Sequence, residues 1–245
     1  MTARDWDAAT YDRISFPQAR WGGAVLDRLP LAGDERVLDA GCGSGRVTEA
    51  LMERLPHGSA IALDASAQML EAARTRLARF GDRVSFVRAD LGQPLPIAQP
   101  VDAILSTATF HWVLDHDALF RNLAAVLLPG GRLVAQCGGH GNIASVMRAL
   151  DELGETERAW NFATADETRS QLEVAGFTGV ETWLQDEPTP IPAMDFETFL
   201  TTVVLGHNLE RRAPGDRRAF VRSVIDRLPG PHLDYVRLNI VARRA

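Results

Sequence analysis

The sequence predicts an α/β fold in which a mostly parallel, seven-stranded sheet carries helices on both faces. Three observations predict it. Residues 34–137 alternate short apolar runs with longer segments of helical period, the order that crossover connections between parallel strands require. Two further strand-like runs close the chain, and about 48 residues between them carry helical patterns where a plain sheet connection needs far fewer. The 245 residues are 46% hydrophobic and contain no repeat, so a single domain, 1–245, is expected, with a helical cap inserted before the last strand.

Residues 36–40, 59–64, 84–90, 101–106 and 132–137 read as buried strands, being short and nearly continuous in apolar character. Helices are expected between them over 46–55, 67–80 and 118–128. In the second, Met69, Leu70, Ala73, Leu77 and Phe80 form a 3.6-period stripe that should face the sheet. Pro56-His-Gly58 and Gly81-Asp82 stop the first two helices, and Pro129-Gly-Gly131 turns the third into its strand. Thr164-Ala-Asp-Glu167 has capping-box spacing and predicts a helix ending at Gly176. Residues 177–185 read as the sixth strand and 234–244 as the seventh. In the seventh, Val236, Leu238, Ile240 and Ala242 alternate with Arg237, Asn239, Val241 and Arg243, which suits an antiparallel or less buried strand near an edge. The cap, 186–233, holds two amphipathic patterns. One is Phe196, Phe199, Leu200, Val203 and Val204 behind a capping Asp195; the other is Phe220, Val221, Val224, Ile225 and Leu228.

Composition removes several classes. All 26 basic residues are arginine, so neither a Schiff-base lysine nor a Walker phosphate loop is available. A net charge of −6 argues against nonspecific nucleic-acid binding. Cys42 and Cys137 have no zinc-knuckle spacing and cannot make a disulfide framework, and no metal motif is present. The N-terminus has no apolar run of signal-peptide length, and no window approaches a membrane span. A cytoplasmic protein without nucleic acid or membrane is expected.

The strongest local signal is VLDAGCGSG at 37–45, which leaves a strand, passes three alternate glycines and enters a helix. Glycines let the backbone bend and approach a ligand, and the helix N-terminus offers free N–H groups. Arg46 stands where a nicotinamide-binding loop has its third glycine, which weakens that reading. Asp64 ends the second strand, where a carboxylate can accept from both ribose hydroxyls; a helix-capping role is the alternative. Asp90 and Leu91 follow the third strand and could take an adenine amino group and ring, against a loop-capping role.

VLDAGCGSG, LALD around Asp64, RADL around Asp90 and STATFHWVLDHDALFRNLAAVLLPGGRL after the fourth strand together resemble the class I S-adenosylmethionine-dependent methyltransferases. The resemblance covers 34–137 and implies a Rossmann-like methyltransferase fold with 34–137 as the cofactor-binding core. It implies that Asp39, Gly41 and Gly43 hold the methionine end of S-adenosylmethionine, Asp64 and Ala65 the ribose, and Asp90 and Leu91 the adenine. Thr107 and Ala108 would line the methyl-transfer face. The N-terminal segment and Phe110-His-Trp112 resemble the trans-aconitate methyltransferase subgroup (methyltransferase type 11), which implies a helical lid over 1–30 with Tyr11 and Gln18 closing on cofactor and substrate.

For the acceptor, His111 is the candidate catalytic residue, as a base or as a hydrogen-bonding partner of a carboxylate, with a structural helix-start role as the alternative. Phe110 and Trp112 would form an apolar wall, with one of the two expected in the core. Residues 211–227 set six arginines against two aspartates, so Arg211 and Arg212, with His207, are candidates to clamp an acidic substrate; a solvated helix face is the alternative. O-methylation of a small carboxylate is expected. Methylation of carbon, nitrogen or a phenol of a natural-product metabolite, or S-adenosylmethionine binding without turnover, remain open.

Overall fold

The computed structural model describes Thr10, Arg13 and residues 16–245, with the side chains of 16–19 left outside the description. Seven strands form one sheet in the order β3-β2-β1-β4-β5-β7-β6. They are β1 (Arg36–Ala40), β2 (Ser59–Asp64), β3 (Val84–Arg88), β4 (Val101–Thr107), β5 (Leu127–Gly138), β6 (Phe177–Pro190) and β7 (His232–Arg244). The first five are parallel, and β7 runs antiparallel to both β5 and β6. The result is a largely parallel seven-stranded sheet flanked by helices, with a helical insert, as expected.

Side chains of the central strands alternate between two layers. Leu38, Ile104 and Leu133 point into a cluster with Phe120, Leu123 and Leu172. Their neighbours Val37, Leu105 and Val134 point into the opposite one with Leu26, Leu51, Met52 and Leu70. Helices α1 (Phe16–Leu26), α2 (Arg46–Glu53) and α3 (Ala67–Leu77) therefore cover one face. Helices α4 (His116–Val126) and α6 (Ala165–Val174) cover the other. Ser66 caps α3, Asp115 caps α4, and the box at α6 is complete, with Thr164 Oγ1 accepting from the Glu167 N–H and Glu167 reaching back to the Thr164 N–H.

Several expectations are corrected. β7 runs antiparallel and lies one strand in from the edge, as its alternation suggested, and β6 is the edge. Arg237 and Asn239 are nonetheless buried, at 2% and 0% exposure, so at these positions both faces of the strand are covered. Helix α5 (Ala144–Glu152) escaped notice because its N-cap is Ile143 in a left-handed conformation, with no capping side chain. β6 continues to Pro190 and β7 begins at His232, so the helical insert is 191–231. It holds α7 (Phe196–Phe199), a π turn over Leu200–Val204, α8 (Gly206–Glu210) and α9 (Pro214–Ile225). Asp195 does not cap α7: its backbone is itself helical, and its carboxylate takes the Arg13 guanidinium at 3.3 Å. The insert shares its apolar cluster with Val146 and Leu150 of α5 and with Leu233 and Tyr235 of β7. Among the described residues no helix is long and apolar enough to cross a membrane.

Thr164→Ala removes one acceptor of the α6 box and should lower the unfolding free energy by about 1 kcal/mol. The expected readout is a lower urea midpoint at unchanged slope.

Candidate active site

The sheet reverses its winding between β1 and β4: the chain leaves β1 toward β2 and leaves β4 toward β5. A crevice opens there at the carboxyl ends of the strands, the place where open α/β sheets bind ligands. The glycine loop lies in it. Gly41, Gly43 and Gly45 have φ of 86°, 54° and 82°. At Gly41 a Cβ would sit 2.2 Å from Thr109, and at Gly45 it would press within 3.2 Å of Ala73 and Leu77 on α3. At Gly43 it would meet nothing within 4 Å. Two glycines thus serve close packing, and the middle one leaves an open approach to the backbone.

Acidic side chains brace this loop. Asp64 accepts from the Gly43 and Ser66 N–H groups, both at 2.9 Å. Its pKa is raised, mainly by burial. Asp39 is fully buried; one oxygen accepts from Thr48 Oγ1 at 2.6 Å, and Oδ1 has no hydrogen-bond partner among the described residues. Desolvation, opposed by the Thr48 bond and helped by Asp64, lifts its pKa to about 7. A buried oxygen left over beside an open glycine fits a ligand that brings a cationic donor.

Farther out, Asp90 is exposed and accepts from the Gly92 N–H at 2.9 Å, closing its own turn. Leu91 packs into the core at 5% exposure, and its carbonyl accepts from Asn122. Ala65 is half-buried, with its carbonyl taking Arg88. Tyr11 lies outside the described residues, and of Gln18 only its backbone place in α1 is described.

A second cavity wall starts where β4 ends. Thr109 Oγ1 donates within reach of the Gly41 and Thr107 carbonyls, at 3.2 and 3.0 Å. Ala108 next to it holds φ 56°. From there a pocket of about 460 Å³, including its open mouth, runs past His111, Trp112, Trp160 and Phe162 to Tyr235 and Arg237. Asn142 and Ile143 close one side, Val203 and Val204 of the π turn another. Among the described residues, the two non-glycine residues with positive φ are Ala108 and Ile143, and both line this pocket. Left-handed backbone in a β-branched residue is strained, and such strain concentrates at functional sites.

His111 is buried in its wall. The Gly138 N–H donates to Nδ1 at 3.2 Å, so the neutral ring carries its proton on Nε2. Burial, with the nearby Arg237 charge and then His116, holds its pKa well below the usual value. Rings crowd around it: Trp112 at 5.2 Å, Phe162 at 5.9 Å, and Trp160 stacked on Phe162 at 5.8 Å. His116 is a structural residue, packed on Phe120 and 3.1 Å from the Phe110 carbonyl.

One ring of the expected apolar wall lies in the core, as anticipated, and the arginine clamp and His207 change place. Phe110 is 1% exposed and stacks edge-to-face on Phe120 in the core, so Trp112 alone of that pair reaches the pocket. Arg211 pairs with Glu157 at 2.5 Å, and Arg212 pairs with Glu155 and lies over the Phe220 ring. His207 sits 3.5 Å from Glu157. None of these three lines the pocket, because the acidic stretch after α5 draws them to itself. Arg237, a member of the β7 alternation that was not singled out, lines the pocket. The aromatic pair Trp160 and Phe162, in a stretch without helical or strand period, was the signal that could have exposed the pocket. No group of three or more potential metal ligands occurs among the described residues.

Comparison with known proteins places the glycine loop and the strands around it in a known family. The methyltransferase domain family model matches residues 37–131. The chain is 35% identical over 180 residues to a trans-aconitate 2-methyltransferase of Methylobacterium nodulans, covering 74% of this chain and 67% of that protein. Other curated relatives of the same name are spanned over about half their length. In structure it is similar to phosphoethanolamine N-methyltransferase 2 of Haemonchus contortus, solved with phosphomonomethylethanolamine and S-adenosylhomocysteine: TM-score 0.63, 18% identity, 92% of this chain and 53% of that one. It is also similar to the [4+2]-cyclase SpnF, at TM-score 0.62 and 18% identity, over 92% of this chain and 81% of that one. The fold therefore does not choose the reaction by itself.

Burial raises Asp39 above its unfolded value, so its contribution to stability is complete at low pH and is lost as pH rises through about 7. Urea unfolding between pH 5 and 8.5 should show the wild type losing stability relative to Asp39→Asn. A difference that does not change with pH would mean the carboxyl is ionised throughout.

Proposed function

We propose that this chain, which belongs to the class I S-adenosylmethionine-dependent methyltransferase superfamily, methylates an oxygen of a small carboxylic acid. One observation carries the proposal. The polar side chains around the pocket include a buried guanidinium and an imidazole whose Nδ1 is already taken by the Gly138 N–H. Such a pocket holds an anion and has no ready group to remove a proton. An acceptor that arrives ionised is the one it suits.

On this reading Asp39 Oδ1 would hold the cofactor's ammonium, the open backbone at Gly43 its methionine end, and Asp64 its ribose, each using a feature already present. Asp90 and Leu91 would border the adenine. When bound, S-adenosylmethionine supplies a methyl on a positively charged sulfur; the carboxylate oxygen takes it with its own lone pair, the C–S pair stays on sulfur, and no proton moves. His111 donates from Nε2–H to orient the acceptor, and Thr107 with Ala108 forms the wall between the two ligands. Trp112, Trp160 and Phe162 exclude water, and Val203 and Val204 place the cap against the same space. The 1–30 segment and the cap would close over both ligands. A soluble small molecule as substrate, in the cytoplasm and with the protein a monomer or homodimer, completes the proposal; the net charge of −6 supports a site without nucleic acid.

Incubation with methyl-deuterated cofactor and a panel of acids, phenols and amines, read by mass spectrometry, should give labelled methyl esters only. Labelled phenol ethers or methylamines without esters would refute the ester reading and leave the superfamily standing. His111→Ala should lower turnover of an acid less than about tenfold, against the 10²–10⁴ typical of a lost base.

A further inference from the structure

We infer that Asn142 is a specificity-determining residue of the acceptor pocket: its side-chain amino group donates to a carbonyl oxygen of the acceptor, so the substrate class is an oxo acid. This rests on the carboxylic-acid reading above for the acid alone. Asn142 lines the pocket at 4% exposure. Its Oδ1 accepts from the Val236 N–H at 3.0 Å. A backbone N–H can bond only the oxygen of an amide, so this contact fixes which end is which. Nδ2 is left with no hydrogen-bond partner among the described residues. It lies 2.8 Å from the place that a Cβ on Gly138 would take, and the Phe162 ring is equally close to that place. His111 is docked on the same glycine through Nδ1. Asn142 and His111 thus meet at Gly138, each with its acceptor atom taken and its N–H left over.

The turn that carries Asn142 is strained and tied down. Ile143, next in the chain, holds φ 50°, and such backbone persists where the surrounding bonds over-determine it. The Asn142 N–H donates to the Gly139 carbonyl and the Ile143 N–H to the Asp234 carbonyl, both at 2.9 Å. The Ser145 N–H and Oγ–H donate to the Asp234 carboxylate at 2.9 and 2.7 Å. These bonds hold a neutral donor at a fixed place among rings. A buried donor of this kind needs an oxygen from the ligand. A methylene there would leave it unpaired, and an amino group would set donor against donor; a site built on a hydrogen bond rejects both. A carbonyl accepts without donating. The carboxylate already has the His111 Nε2–H to orient it, so Asn142 takes a further oxygen.

The experiment titrates S-adenosylhomocysteine-loaded protein by calorimetry with three pairs of acids that differ by a carbonyl in place of a methylene. The pairs are benzoylformate with phenylacetate, benzoylacetate with 3-phenylpropanoate, and 3-benzoylpropanoate with 4-phenylbutanoate. In at least one pair the oxo acid should bind about tenfold tighter or more. Asn142→Asp keeps an oxygen for the Val236 N–H and puts an acceptor where the donor was, so it should abolish that preference. Its added charge acts on both members of a pair and cancels in the ratio. Asn142→Ala removes the amide altogether and should abolish the preference too; it serves as the second variant if Asn142→Asp does not fold. Equal binding or no binding in all three pairs, or a preference that survives substitution of Asn142, overturns the assignment whether or not esters form. A preference that depends on Asn142, with no ester from any acid, keeps the assignment and sinks the ester reading.

Discussion

Position 41 admits no side chain, and the site depends on that. A Cβ there would lie 2.2 Å from Thr109. β1 and β4 are parallel neighbours whose onward connections leave toward opposite edges and opposite faces of the sheet. Gly41 and Thr109 are close to the first residues past each strand, so their contact pins the two departures together. With the loop clamped, the Gly43 N–H meets Asp64 and the free face of Gly43 stays open. With the β4 end clamped, Ala108 takes its left-handed turn and the short helix Phe110–Trp112 drops His111 onto Gly138. The cofactor crevice and the acceptor pocket are two sides of one rigid junction.

Charge is distributed so that surface arginines and the buried one do different work. At the start of 211–227, Arg211 and Arg212 are met by Glu157 and Glu155, pairs that lie at or near the surface and contribute little each to stability. They tie the cap to the segment that supplies Trp160 and Phe162. Arg237 is held in low-dielectric surroundings, where burying a charge is costly unless hydrogen bonds and rings compensate. After burial, which is the larger cause, its charge also lowers the proton affinity of His111.

The core was legible because parallel strands between two helical layers must be short and apolar, and residues 36–137 are written that way. The glycine loop was legible for the same kind of reason: left-handed φ at three alternate positions demands glycine. The acceptor pocket was not. Arg237 sits in a two-residue alternation that looks identical whether the second face meets water or a helix, and only the packing of Trp21 from α1 on that face decides. Ile143 hides a helix start behind a residue type that caps nothing. Arg211 and Arg212 looked like a clamp because their partners lie more than fifty residues away, beyond any local pattern.

The central claim is that this pocket presents the methyl group to an acceptor already ionised, with His111 as a donor and no base in play. The pH dependence of kcat at saturating cofactor and carboxylic acid tests it most directly. A flat profile from pH 6.5 to 9 is expected, since no group that titrates there takes a proton in the step. A rise of about tenfold or more along a single ionisation, removed by His111→Ala, would show the imidazole acting as a base and contradict it.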